Sequence, residues 1–217
     1  MAGVLPGLAV LELGSNALPA LEGLAGAGAL TALWLGRNRI PAIPPASLAG
    51  LASLRVLALP SNRLTSMDAL GAGHTPALEE LYLSHNGICA LAGLGALPNL
   101  KVLDVAANRV SDVADLASAP PLTDLWLNDN RIVSLGALAT ALRAGRAGGS
   151  ITCAYLAGNP AVEALKKAGG GGDGGRPAAR APGLALGYAR AVRAMMPGVQ
   201  ELDGDDVEPV LARGGGG

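Results

Sequence analysis

The pattern Leu-x-x-Leu-x-Leu-x-x-Asn recurs along the 217-residue chain and limits the possible folds more strongly than any other feature. Its seven copies, the last of them degenerate, end on Asn16, Asn38, Asn62, Asn86, Asn108, Asn130 and Asn159. Consecutive asparagines lie 22, 24, 24, 22, 22 and 29 residues apart. A period in this range, kept over seven copies, is typical of a solenoid in which each copy forms one coil.

The residue types within one copy predict the structure of a coil. The Leu-x-Leu pair places two apolar side chains on one side of a short strand. Neighbouring strands stack into a parallel sheet, and their leucines fill a core that a single coil could not bury. The asparagine amide both donates and accepts, so it can satisfy backbone groups inside the stack. Beyond the asparagine, Leu91, Leu94, Leu97 and Leu100 keep a period of three, which favours 3₁₀ turns.

These features identify leucine-rich repeats and predict an α/β solenoid. We expect a right-handed arc of seven repeats, with a parallel β-sheet on the concave face and 3₁₀ or short helical turns on the convex face. The predicted divisions are repeats at 1–168, a flexible glycine-rich insertion at 169–183, a helical cap on the last repeat at 184–207, and a disordered tail at 208–217. Residues 1–7 are too few for a cap, so the first strand should present a bare edge.

Composition favours a non-membrane, intracellular protein without a charged polymer as its partner. Half of the residues are hydrophobic, 15% are charged, and the formal net charge is −1, so no long-range attraction to nucleic acid or acidic membranes is expected. Cys89 and Cys153 lie about three repeats apart, too distant for a disulfide. The chain has neither a basic signal region nor a long uninterrupted apolar run. We therefore expect a cytoplasmic or nuclear protein.

The residues that flank the middle leucine of each strand should point onto the concave face. Four of the five aromatic residues of the chain occupy these 14 positions: Trp34, Tyr82, Trp126 and Tyr155. Four acidic residues occupy others: Glu12, Glu80, Asp104 and Asp124. Exposed Trp and Tyr are typical anchors of protein interfaces, and a surface of one charge favours a basic partner over a phosphate backbone. These eight residues form the predicted partner-binding site.

No residue pattern indicates catalysis, a cofactor or a metal ion. His74 and His85 have no metal-ligand spacing and no nucleophile near them in sequence. Asp203, Asp205 and Asp206 resemble the start of a calcium loop, but Gly214 stands where that loop needs a glutamate. We interpret these aspartates as solvated tail charge, and an arginine row after the asparagines (Arg39, Arg63, Arg109 and Arg131) as solvated charge on the rim. The prediction is a protein that is not an enzyme.

Two motifs resemble the leucine-rich-repeat regulatory subunit of type-1 protein phosphatase. The segment Leu125-Trp126-Leu127-Asn128-Asp129-Asn130 is similar to that family's Trp-Met-Asn-Asp-Asn stretch, with Asp124 matching an acid two residues before the Trp. The cap pattern of that family is matched in this chain at Tyr188, Val192, Pro197, Val199, Leu202 and Asp203. Unlike the family, this chain has an insertion at 169–175 and no further N-terminal repeats.

The resemblance implies that the concave residues dock the phosphatase catalytic subunit, a folded protein. Tyr155 matches a later aromatic anchor of the family, and Glu12 and Trp34 fall on its earlier acid and aromatic anchors. Ciliary dynein light chains and a spliceosomal snRNP protein share the cap, so a structural subunit of an axonemal assembly is the main alternative and an snRNP component a third. The bare N-terminal edge suits an assembly component.

Overall fold

The computed structural model describes residues 7–168 and 185–213, which form one nine-stranded sheet with short turns and helices beside it. Its strands follow the order of the sequence: β1 (Val10–Glu12), β2 (Ala32–Trp34), β3 (Val56–Ala58), β4 (Glu80–Tyr82), β5 (Val102–Asp104), β6 (Asp124–Trp126), β7 (Cys153–Tyr155), β8 (Glu201–Leu202) and β9 (Asp205–Asp206). Strands β1 to β8 are parallel, and β9 pairs with β8 in the antiparallel direction.

In-register pairing turns the repeated leucines into the core. The middle residue of each strand pairs with the middle residue of the next, as in Leu33 with Leu57 and Leu81 with Leu103. From β2 onward these middle residues have no exposed surface, and they belong to one continuous hydrophobic cluster along the described coils. The predicted parallel sheet and shared leucine core are confirmed.

Short 3₁₀ turns close the second to fifth coils, as the three-residue period predicted. They span Pro45–Ser47, Asp68–Ala72, Leu94–Ala96 and Ala114–Ala117. The two later coils carry α-helices instead: α1 (Leu135–Ala144) and α2 (Pro160–Ala168). The 29-residue spacing of the sixth coil provides room for α1, whose Leu138, Ala141 and Leu142 form a buried face. Ser134 caps this helix by accepting the Ala137 N–H at 3.0 Å.

The asparagines bond each coil to the coil before it. Asn108 Nδ2 donates to the carbonyl oxygens of Val105, in its own coil, and Leu83, in the preceding coil, both at 3.0 Å. Its Oδ1 accepts the Ile88 N–H at 3.0 Å. Equivalent bonds are made by Asn38, Asn62, Asn86, Asn130 and Asn159. The amide therefore satisfies the backbone groups that the turn leaves unpaired, as expected.

The residue before each asparagine has a positive φ, which turns the chain out of the strand. Six of the seven coils use a non-glycine residue there: Ser15, Arg37, Ser61, His85, Ala107 and Asp129, with φ between 51° and 57°. Only the seventh coil uses glycine, Gly158, with φ 74°. A Cβ on Gly158 would lie 2.2 Å from Asp129 Oδ1, so the close approach of the two turns also requires glycine there.

A cap covers the seventh coil. Helix α3 (Leu186–Met195) buries Tyr188, Ala189, Val192 and Met195, and the chain then joins the sheet as β8. Strands β8 and β9 form a hairpin around Asp203 and Gly204, whose φ angles of 53° and 88° suit a two-residue turn of the Asp-Gly type.

Asp203 fastens this cap to the repeats. Its Oδ1 accepts the backbone N–H groups of Leu156 at 2.7 Å and Ala157 at 2.9 Å, and its Oδ2 accepts the Tyr188 hydroxyl at 2.9 Å. The interpretation of Asp203 as solvated tail charge is therefore wrong, because its carboxylate bonds to the seventh coil. Asp205 and Asp206 are exposed.

The expectation of a disordered tail at 208–217 is wrong for the described part of that segment. Residues Val207–Arg213 form a helix, α4, which begins with a buried Val207. An ion pair between Arg193 and Glu208 joins α4 to α3. The expected insertion at 169–183 and the last four residues of the expected tail lie outside the described residues.

Candidate functional site

The strands present two rows of side chains on the face of the sheet opposite the leucine core. Because the strands pair in register, the first residues of the strands align with one another, and so do the third residues. The first row is Val10, Ala32, Val56, Glu80, Val102, Asp124, Cys153 and Glu201. The second row is Glu12, Trp34, Ala58, Tyr82, Asp104, Trp126 and Tyr155. All eight predicted site residues lie in these two rows.

The four aromatic residues of the second row form a continuous series of ring contacts, which we call the aromatic ladder. The ring centroids of Trp34 and Tyr82 lie 6.1 Å apart with an interplanar angle of 21°, a stacked arrangement. Tyr82 and Trp126 are 6.3 Å apart, and Trp126 and Tyr155 are 5.7 Å apart with edge-to-face geometry. These separations fall in the range in which aromatic pairs attract each other.

A small residue between the first two aromatic positions allows their rings to meet. Trp34 and Tyr82 are two strands apart, about 9.6 Å at ordinary strand spacing, and yet their rings approach to stacking distance. The intervening residue, Ala58, is only 1% exposed, although it is on the outward side of the sheet. Trp34 retains 39% of its surface, whereas the other three rings are half-buried. The ladder is thus a partly exposed, pre-ordered aromatic surface.

The two tyrosine hydroxyls are already committed to carboxylates on the same face. Tyr82 donates to Glu80 Oε2 at 2.9 Å, and Tyr155 donates to Glu201 Oε1 at 2.7 Å. Burial, followed by this hydrogen bond, raises the pKa of Tyr82 to about 12. The hydrogen bond to Glu201, followed by burial, raises the pKa of Tyr155 to about 12. Both phenols therefore remain protonated at neutral pH, and each fixes the orientation of a ring and a carboxylate.

Asp104 differs from the sequence-based expectation that its carboxylate lies on the accessible surface. The side chain is only 5% exposed, in the row position between Tyr82 and Trp126. Its Oδ1 accepts the Ala106 N–H at 2.9 Å. Burial raises the pKa of the Asp104 carboxyl, although the bond from Ala106 opposes that rise. Asp104 therefore lies buried in the row between Tyr82 and Trp126, with little exposed surface of its own.

Cys153 lies beside Asp124 in the first row and is not an activated thiol. Its pKa is raised by burial first, and by the charge of Glu201 next. A raised pKa keeps the sulfur protonated and weakly nucleophilic. Asp124 itself accepts the Thr123 hydroxyl at 2.6 Å through Oδ2. This arrangement positions a carboxylate on the surface and provides no nucleophile.

The charge of the two rows is of one sign. Their acidic residues include the exposed Glu12 and the half-buried Glu80, Asp124 and Glu201, and the rows contain no Lys or Arg. The arginine row after the asparagines is exposed and, within residues 7–168 and 185–213, makes no ion pair. On the strand-entry side, Glu79 bonds to both Arg55 and Lys101 at 2.9 and 2.8 Å. Basic charge thus borders the sheet on two sides and is absent from its centre.

Glu201 is the site residue that the repeat pattern does not reveal. The cap adds β8 to the sheet, and Glu201 becomes the eighth member of the first row. A signal was present, because Glu201 precedes the buried Leu202 just as Cys153 precedes Ala154 in β7. The eight strands before the terminal hairpin strand therefore carry a longer acidic face than the seven repeats alone predict.

Neither a metal-binding cluster nor a membrane-spanning helix is found among the described residues. No group of three His, Cys, Asp or Glu side chains in the described ranges could hold a metal ion. Across the same two stretches of chain, no helix combines the length and the apolar character needed to cross a bilayer.

Comparison with known families identifies the repeat type. Residues 28–88 match the family model described as leucine rich repeat, and residues 76–118 match the model described as leucine rich repeats (2 copies). No curated protein matches the chain significantly. Leucine-rich repeats typically act as non-catalytic scaffolds for protein–protein interaction. The matched repeats, the parallel sheet and the asparagine bonds between coils together show that the described residues have the fold of a leucine-rich-repeat solenoid.

Proposed function

We propose that this protein binds a folded protein partner across the face that carries the aromatic ladder. One observation supports the proposal above the others: four of the five aromatic residues of the chain form a single pre-ordered series of rings there. Rigid aromatic side chains lose little entropy on binding and bury a large area, so they dominate interface energetics. The surrounding carboxylates favour a basic partner surface.

The catalytic subunit of type-1 protein phosphatase is the partner that the sequence resemblance favours. The contact residues in this proposal are Glu12, Trp34, Glu80, Tyr82, Asp124, Trp126 and Tyr155, with Asp104 supporting the rings from beneath. Regulation would follow from occupying or shaping the surface of the phosphatase and not from chemistry on this chain. This partner implies a cytoplasmic or nuclear location.

A pull-down with the purified phosphatase catalytic subunit tests both parts of the proposal. The informative variant is Trp34→Ala/Trp126→Ala, and the matched control is Val133→Ala, because Val133 is 74% exposed and lies outside the strands. We expect Trp126→Ala alone to weaken binding by about 2 kcal/mol, the size of an interface hot spot. Equal binding by wild type and the double variant would remove the proposal.

A structural subunit of an axonemal assembly remains the alternative partner assignment, and it uses the same face. Retention of the protein in salt-washed axonemes, together with loss of retention in the double variant, would favour this alternative. Binding to purified phosphatase with no retention in axonemes would favour the phosphatase. The two outcomes therefore separate the partner while testing the same rings.

A further inference from the structure

The carboxylates of the first row alternate with uncharged residues from the middle of the sheet onward. Glu80, Asp124 and Glu201 lie on β4, β6 and β8, whereas Val102 and Cys153 occupy the two strands between them. Neighbouring strands are about 4.8 Å apart, so the strand positions that carry these carboxylates repeat about every 9.6 Å. The pattern is periodic along the solenoid and not a random cluster of acids.

Each of these carboxylates also lies next to an aromatic ring of the ladder. Glu80 accepts the hydroxyl of Tyr82, and Glu201 accepts the hydroxyl of Tyr155. Asp124 shares β6 with Trp126. The three units, which we call carboxylate–ring pairs, are therefore Glu80 with Tyr82, Asp124 with Trp126, and Glu201 with Tyr155. No Lys or Arg of the two rows neutralises them.

We propose that the partner presents arginine side chains seven residues apart on a surface helix that lies across strands β4 to β8. This inference rests on the proposed function, because it describes the partner surface that the aromatic ladder would receive. It concerns only the chemistry of that surface, and it holds for a phosphatase or an axonemal partner alike.

Arginine suits a carboxylate–ring pair better than lysine does. A guanidinium is planar, so it can stack on an aromatic ring while its N–H groups bond to a carboxylate at the edge of that ring. Within residues 7–168 and 185–213, a tyrosine hydroxyl donates to one oxygen of each glutamate, and the second oxygen is the group that would accept a guanidinium. The tyrosine hydroxyls already donate within the protein, and the rings contact one another, which leaves the exposed parts of the rings and the carboxylates as the groups for recognition.

The spacing of the pairs favours a helix over an extended segment. Seven residues of α-helix advance about 10.5 Å and return to nearly the same face. In a β-strand, three residues advance about 10 Å but place the two side chains on opposite faces. A helix with arginines at positions 1, 8 and 15 therefore meets all three pairs with one face.

The test uses a synthetic alanine-rich helical peptide with arginines at positions 1, 8 and 15, measured by fluorescence anisotropy at low ionic strength. One comparison peptide has the same composition with its arginines at positions 1, 6 and 15, and the other has lysines in place of the arginines at positions 1, 8 and 15. We expect the first peptide to bind at least about tenfold more tightly than either comparison peptide. Glu80→Gln or Asp124→Asn should each weaken its binding about fivefold or more, because each removes charge while keeping an acceptor oxygen.

Glu22→Gln is the matched control, since Glu22 is an exposed acid that lies outside the strands and outside the two rows. It should change peptide binding less than twofold. Equal binding of all three peptides, or an effect of Glu22→Gln as large as that of Glu80→Gln, would reduce the interaction to general charge attraction and overturn the inference. If the peptides fail while the Trp34→Ala/Trp126→Ala variant still loses its protein partner, the proposed function stands and only this inference falls.

Discussion

The first described coil and the cap differ in how their polar side chains are satisfied. At the first coil, Asn16 is exposed, and among the described residues its amide donates to the carbonyls of Leu13 and Gly14 in its own turn. At the other end, Asp203 bonds to two backbone N–H groups of the seventh coil and to a buried tyrosine. The Asn16 amide therefore bonds within its own turn, whereas the Asp203 carboxylate joins the cap to the seventh coil.

The outward faces of the two ends differ as well. Over β1 to β3 the first row is apolar, with Val10, Ala32 and Val56, and Val10 is 56% exposed. From β4 onward the first row contains the carboxylates of the three carboxylate–ring pairs. Each coil contacts mainly its neighbours, so the ends can differ in stability and in surface chemistry without disturbing the repeat between them.

Removing an interior asparagine should lower the free energy of unfolding more than any other change considered. In Asn108→Ala, the Ile88 N–H and the carbonyls of Leu83 and Val105 lose a buried partner, which should lower the free energy of unfolding by about 3 kcal/mol. Asn16→Ala should cost about 0.5 kcal/mol or less, because its bonds are exposed. Urea unfolding followed by circular dichroism measures both. Similar losses for the two variants would show that the bonds between coils do not carry the difference.

Releasing the cap should have the next largest effect. We expect Asp203→Ala to lower the free energy of unfolding by about 2 kcal/mol, since two N–H groups and the Tyr188 hydroxyl lose their acceptor. Tyr188→Phe removes only one of these bonds and should cost about 1 kcal/mol. Hydrogen exchange at Leu156 and Ala157 provides a local measurement. Unchanged protection of these two amides in Asp203→Ala would mean that the carboxylate does not hold the cap.

Asp104 and Ala58 occupy corresponding positions in the two halves of the aromatic ladder. Ala58 lies between Trp34 and Tyr82 in the second row, and Asp104 lies between Tyr82 and Trp126. Burial raises the pKa of Asp104 above its ordinary value of 3.8, so the folded state disfavours the ionised carboxylate. The contribution of Asp104 to the free energy of unfolding should therefore fall as the pH rises from below 3.8 through the raised pKa.

The variant Asp104→Asn keeps an oxygen for the Ala106 N–H and removes this penalty. At pH 7 it should be more stable than the wild type by a few tenths to about 1 kcal/mol, and the difference should shrink as the pH approaches 3.8. Urea unfolding at several pH values measures this. A gain that stays constant with pH would exclude ionisation of Asp104 as its cause.

The repeat pattern was enough to predict the strands and the leucine core, because the Leu-x-Leu spacing determines which side chains share a face. It also placed Trp34, Tyr82, Trp126 and Tyr155 on the outward side. It could not predict that the rings lean together over Ala58 and bury Asp104, since this depends on side-chain packing across two strands. Nor did it predict helix α1, whose buried face forms in the longer sixth coil.

Only part of the cap could be predicted from the sequence. Its helix was predicted over 184–196 from the apolar spacing of Leu186, Ala189, Val192 and Met196, and it spans Leu186–Met195 in the structure. Strand β8 was not predicted, because two residues are too few to show a strand period. The acidic member that β8 adds, Glu201, was therefore missed. Residues that enter a surface by joining the sheet from outside the repeat carry no periodic signal of their own.

Site-specific photo-crosslinking in native lysate is the most direct test of whether a protein partner binds across the face that carries the aromatic ladder. A photoreactive amino acid is placed at Val56 or Val102 in the first row, or at Val133 outside the strands as a control, and crosslinked proteins are identified by mass spectrometry. We expect both first-row positions to capture the same protein and Val133 not to capture it. The variant Trp34→Ala/Trp126→Ala should abolish the capture. Capture of that protein from Val133 with none from Val56 or Val102 would contradict it.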